Sequence, residues 1–163
     1  MEKKTIKILG IDPGTRLVGI AIMSGSTLRE WRVKTFYDKF TASKVKRILS
    51  TLSKICELHQ ITEIAIKTPS LKSSANLKKI IAGIKEIAKR KKIKLYQYST
   101  KEIKSFFSSI NKKELAEILS QQNPFLISEL EKEKANRNKY YEKMFVAIGL
   151  AQMLYKKLDA SPA

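Results

Sequence analysis

The chain predicts an α/β fold built on a five-stranded mixed sheet with helices on both faces. Two observations predict it. Three apolar runs follow one another near the N-terminus with only short turns between them, the pattern of antiparallel strands. Beyond them, short apolar runs alternate with amphipathic stretches of helical period, the pattern of parallel strands added through crossovers. No linker-like segment interrupts the 163 residues, so residues 1–158 are expected to form one domain and residues 159–163 a frayed tail.

Each element has its own signal. Thr5 to Ile11 is largely apolar and reads as a central strand. Arg16 to Met23 is the second strand, and the Ser24-Gly25-Ser26 turn leads into a third, Thr27 to Phe36, with Trp31, Val33 and Phe36 as its apolar residues. Ser43 to Leu58 is helical, because Val45, Ile48, Leu49, Leu52, Ile55 and Cys56 recur on one face. Ile61 to Ile66 is a strand that follows this helix and so pairs in parallel.

Ser73 or Ser74 caps the next helix, whose core face is Leu77, Ile80, Ile81, Ile84 and Ile87. Ile93 to Tyr98 is the fifth strand. Ser99-Thr100 opens a short helix through Phe107, and Lys112 to Gln121 forms another, ended by Asn123-Pro124. Glu129 to Asn138 reads as an exposed charged segment. A last helix spans Lys139 to Leu158, apolar at Met144, Ala147, Ile148, Ala151 and Leu154.

Charge narrows the function. Thirty-three Lys and Arg face fifteen Asp and Glu, a net charge of +18. A chain so unbalanced repels itself unless its partner is a polyanion. Nucleic acid is the first expectation and an anionic membrane surface the second. A lysine-rich background would bring glutamate along, and glutamate lags here. No apolar run is long enough to span a membrane, no signal peptide is recognised, and the single cysteine, Cys56, excludes an intrachain disulfide. The expected compartment is the cytoplasm, on the nucleoid. Metal-spaced Cys/His clusters, a phosphate-binding Walker loop and a Ser-His-Asp arrangement are absent from the sequence.

The stretch "ILGIDPGTRLVGIAIM", from Ile8 to Met23, places Asp12 at the end of an apolar strand with Pro13, Gly14 and Thr15 turning into the next. Gly10-Ile11-Asp12-Pro13-Gly14-Thr15, with Gly19 following, resembles the opening hairpin of the RNase H-like fold and, more narrowly, of the RuvC-type Holliday junction resolvases. The likeness continues in "ITEIAIKTPSLKSSANLKKIIAGI" (Ile61 to Ile84), "INKKELAEIL" (Ile110 to Leu119) and "KMFVAIGLAQ" (Lys143 to Gln152). Actin-like sugar kinases begin with a similar hairpin, but they need a second, duplicated domain for which this chain has no room.

The resemblance implies two-magnesium cleavage of a phosphodiester by converging carboxylates. These come from the end of strand one, the end of strand four and a pair on the last helix. Here those four positions read Asp12, Lys67, Lys143 and Val146. Only Asp12 remains as a remnant of the acidic set. At about 4 Å and an effective dielectric near 20, one unit charge pair is worth on the order of 4 kcal/mol, so a lysine in place of a glutamate opposes a divalent ion strongly. Glu142, one helical turn before Val146, is the candidate to rescue the site. Lys67 has three readings: an ion-pair partner for Asp12, a contact to phosphate, or a strand-end lysine reaching solvent.

The resemblance also points to a DNA face. Lys72, Lys112 and Lys113 match regions that approach the junction in the family. Arg16 and the helix-borne Lys78, Lys79 and Lys85 are candidates for backbone-phosphate contact. Tyr96, Tyr98, Phe106 and Phe107 are either base-stacking or core residues. The leading expectation is a RuvC-like protein that binds branched or duplex DNA, pairs with a second copy through the second long helix, needs no cofactor and does not cleave. The alternative is a junction endonuclease with a rearranged acidic site using Mg2+ or Mn2+. A third class is a protein-interaction module whose charge is incidental.

Overall fold

The computed structural model describes residues 5–70, 72–135 and 141–160. Five strands form one sheet: β1 (Lys7–Asp12), β2 (Leu17–Ser24), β3 (Thr27–Thr35), β4 (Glu63–Lys67) and β5 (Lys94–Tyr98). Their order is β3-β2-β1-β4-β5. β1 pairs antiparallel with β2 and parallel with β4, and β4 pairs parallel with β5. The central place of β1 explains its unbroken apolar run, since both of its faces are covered.

Alternation along the strands divides the core in two. Leu9, Ile11, Ile20, Ile22, Ile64 and Ile66 face α1 (Ala42–Leu58) and α2 (Ala75–Lys91), which contribute Ile48, Leu52, Ile80 and Ile84. The opposite face carries Ile8, Ala21 and Ala65. It packs on α6 (Glu142–Ala160), with α3 (Thr100–Phe106) and α4 (Lys112–Gln122) beyond. This second face is lined by small residues for a reason. A Cβ on Gly10 would overlap the Ala147 carbonyl, and one on Gly19 would overlap the Lys143 carbonyl. The first two turns of α6 therefore lie directly on the β1–β2 hairpin, and Met144 to Leu154 are all buried.

The expected boundaries shift at several points. The side chain of Ser74, not Ser73, accepts from Leu77 N–H and caps α2. Val45 lies at the rim of the core, and its neighbour Lys44 is the buried residue, donating from Nζ to the Asp38 carbonyl at 2.7 Å. Glu129 to Ala135, expected as an exposed charged segment, is helical, and its Glu131, Lys132 and Lys134 are exposed. It belongs to α5 (Ile127–Ala135), which follows a 3-10 turn at Pro124–Leu126 and packs Leu130 against the core. Residues 136–138 of that segment, and the expected helix start at Lys139, lie outside the described residues. Asp159 and Ala160 continue α6, so the tail expected from residue 159 begins no earlier than residue 161. Tyr98 and Phe107 are buried in the core and cannot stack on bases, whereas Phe106 is exposed. Among the described residues, no helix is long and apolar enough to cross a membrane.

Candidate nucleic-acid interface at the edge of the sheet

Strand parity decides where Asp12 points. It lies two residues beyond Gly10, so its side chain leaves the sheet on the α6 side. Lys67 stands in the same relation to Ala65 on the neighbouring parallel strand. Both side chains thus meet the first turn of α6 at the C-terminal ends of β1 and β4. Asp12 is 1 % exposed. A carboxylate so buried needs partners, and it has two. Lys67 Nζ and Lys143 Nζ each lie 3.2 Å from Asp12 Oδ1. Lys143 also donates to the Pro13 carbonyl at 3.1 Å.

The hairpin glycines make this reach short. A Cβ on Gly14 would press on the Lys143 side chain near its ammonium. Burial holds the Lys143 ammonium below the ordinary lysine range. Asp12 opposes that shift, and repulsion from Lys67 and Lys112 adds to it.

As a donor set, the cluster does not fit a divalent cation. Magnesium takes oxygen ligands, and the one carboxylate present is engaged by two ammonium groups. Among the described residues, no three Asp, Glu, His or Cys side chains converge. Val146 is buried in the apolar core under the sheet. Glu142, the candidate rescue ligand, forms an ion pair with Lys112 at 3.2 Å. It lines a cleft of about 810 Å3 with Asn111, Lys112, Lys113, Lys104 and Lys134.

The remaining candidates are spread over more than one surface. Arg16 is exposed in the β1–β2 turn, with its guanidinium carbon 5.5 Å from the centre of the Tyr37 ring. Lys72 is exposed in the loop after β4. Lys112 and Lys113 open α4, whose N-terminus is capped by Asn111 accepting from Glu114 N–H at 2.9 Å. Lys78, Lys79 and Lys85 are exposed on α2, in the layer on the other side of the sheet from α6. Sequence reasoning held the Lys67–Asp12 pair as one of three readings and named Lys143 as a family position, without pairing Lys143 to Asp12. The signal was available: the resemblance sets position 143 beside Asp12 and Lys67 in one site, which implies that the three side chains face one another. Tyr37, 63 % exposed beneath Arg16, was also missed.

Solved structures that superpose on this chain include three resolvases. Thermus thermophilus RuvC in complex with a Holliday junction substrate superposes with a TM-score of 0.67 at 18% identity, over 94% of this chain and 96% of that one. The yeast mitochondrial Holliday junction resolvase gives 0.64 at 15% identity, over 93% and 81%. The Fowlpox virus resolvase, solved with Holliday junction DNA, gives 0.58 at 13% identity, over 94% and 99%. At such identities the likeness establishes the fold. Among curated proteins, none matches the chain by sequence. The sequence model of the family described as crossover junction endodeoxyribonuclease RuvC, however, matches residues 8–136, most of the chain. With that match and that architecture, the chain belongs to the RuvC family.

Proposed function

We propose that this protein binds branched DNA of the Holliday junction type, or duplex DNA, and that it does so without metal-dependent cleavage. The observation that carries the second half is the pairing of Asp12 with both Lys67 and Lys143 at 3.2 Å. The first half is supported by family membership and by the net charge of +18. Arg16, Lys72, Lys112 and Lys113 are the contacts we assign to the sheet-edge surface. Lys78, Lys79 and Lys85 would extend it along α2. A protein of this kind would sit on the nucleoid in the cytoplasm.

A labelled four-way junction tests the reading directly. We expect a salt-dependent complex at nanomolar protein, with every strand intact at all Mg2+ and Mn2+ concentrations. Symmetric nicks that Asp12→Asn abolishes would instead establish the rival endonuclease, with Glu142 as its second carboxylate. An absence of salt-dependent affinity for any nucleic acid would leave a protein-interaction module.

We further propose a homodimer through α2. Ile80, Ile81 and Ile84 of α2 are spent on the protein's own core, so the second copy would use the groove that α2 forms with α1. Leu49, Gly83 and Ile87 line that groove, which holds about 480 Å3 and is flanked by Lys46, Lys54 and Arg90. Light scattering across a salt series decides the point, because repulsion between two lysine faces weakens as salt rises. A monomer at every ionic strength excludes the dimer.

A further inference from the structure

The charges around Asp12 do not balance. One carboxylate faces two ammonium groups, and these are themselves largely withdrawn from water, with side-chain exposures of 19% at Lys67 and 22% at Lys143. Withdrawing a surplus charge is costly unless a counter-charge completes the network. Glu142, next to Lys143 in the chain, does not supply it, since it is paired with Lys112. Lys112 adds to the positive field at Lys143 instead of relieving it. The described network therefore lacks one negative charge, and its ammonium groups sit at the C-terminal edge of the sheet. Exposed Arg16 and Lys72 lie in the two loops that leave β1 and β4 at that edge.

We propose that Lys67 and Lys143 form a clamp for a single phosphodiester of DNA, with Asp12 holding the two ammonium groups in place while the clamp is empty. The chemistry matches in charge and in geometry. A phosphodiester carries one negative charge, which brings the cluster to neutrality. Its two non-bridging oxygens can each accept from one ammonium, and each ammonium has three hydrogens to donate. Among the described residues, Lys143 gives one to Asp12 and one to Pro13, whereas Lys67 is held to Asp12 as an ion pair at 3.2 Å. Asp12 is then a positioning residue, not a ligand of the phosphate. It keeps two mutually repelling groups side by side, and it competes with the phosphate for them.

This clamp rests on the DNA-binding reading above, and the test separates the two. Four-way junctions carrying one neutral methylphosphonate at a time are titrated with the wild type and with Asp12→Asn/Lys67→Met/Lys143→Met. That triple variant removes the whole charge network and leaves no buried charge unpaired, and circular dichroism checks its fold. The clamp predicts that one methylphosphonate position weakens the wild type about tenfold and leaves the variant indifferent. It also predicts that the slope of log affinity against log salt falls in the variant by about 0.9 for each bound copy, the share of one phosphate. Asp12→Asn alone should tighten junction binding severalfold, because the competitor is gone.

A wild type that binds the junction with the same scan and salt slope as the triple variant would overturn the clamp and leave the DNA reading standing. A wild type that binds no DNA would overturn both. If inorganic phosphate then raised the melting temperature of the wild type and not of the triple variant, the cluster would be a site for free phosphate, and its assignment to DNA would be wrong.

Discussion

Lys143, in the first turn of α6, hydrogen-bonds Asp12 at the end of β1 at 3.2 Å, across 131 residues of sequence. The contact joins the first strand of the sheet to the last helix. It also satisfies a carboxylate that is 1 % exposed.

Removing it should be felt in stability. Lys143→Met leaves Asp12 with Lys67 alone and leaves the Pro13 carbonyl without its donor. The expected loss is about 1–3 kcal/mol, read from urea unfolding with an unchanged m-value. An unaltered midpoint would mean that the ion pair contributes nothing net.

The same residue gives a pH signature whose sign is fixed. Burial lowers the Lys143 pKa from its ordinary 10.5. Between the lowered value and 10.5 the unfolded chain therefore binds more protons at this site than the folded one does. Its contribution to unfolding free energy rises with pH across that window. Subtracting the pH profile of Lys143→Met from that of the wild type isolates the term, because the other lysines are shared. A difference that falls with pH would show the pKa to be raised.

Reversing the charges should create what the natural cluster lacks. In Lys67→Glu/Lys143→Glu, three carboxylates meet where one stands now. Without metal this variant should melt well below the wild type, since like charges repel at short range. Millimolar Mn2+ should restore several degrees by binding only the folded state, and should leave the wild type unmoved. Equal responses in both proteins would argue that the cluster does not set metal affinity.

The glycines under α6 test how the site is built. Gly10→Ala and Gly19→Ala place a methyl group against backbone carbonyls of Ala147 and Lys143, which cannot rotate away. Each should cost about 1–3 kcal/mol through a shift of the helix. Gly19→Ala, whose methyl meets residue 143 itself, should also disturb the Asp12 pairing. Denaturation midpoints give the first effect, and the lysine-143 titration gives the second.

Cys56 should be chemically silent. It is 4 % exposed on the inner face of α1, and burial pushes its thiol up to about 11. Native protein at about pH 8 should react with a disulfide reagent orders of magnitude more slowly than protein in urea. Comparable rates would show that α1 opens readily.

Most of the architecture was legible because each element announced itself in period and punctuation. Ser73 or Ser74 marks a helix start, and two apolar runs joined by a short turn at Pro13, Gly14 and Thr15 mark a hairpin. The exceptions have local causes. α5 was hidden because Ile127 to Ala135 is mostly charged and holds the core chiefly through Leu130. Lys44 was passed over because a lysine in the core is rare, and here its ammonium donates to the Asp38 carbonyl. At the site, family positions located every member of the cluster. What they did not reveal was that Lys143 turns toward Asp12. That depends on how close α6 lies to the sheet, a distance set by Gly10, Gly14 and Gly19 together and by no single motif.

That closeness has an evolutionary consequence. The helix is seated by glycines meeting main-chain carbonyls, a contact that is blind to which side chain position 143 carries. A lineage can therefore exchange an acid for a base at the mouth of the site without unseating the helix. The scaffold persists while the sign of the charge it presents is free to drift.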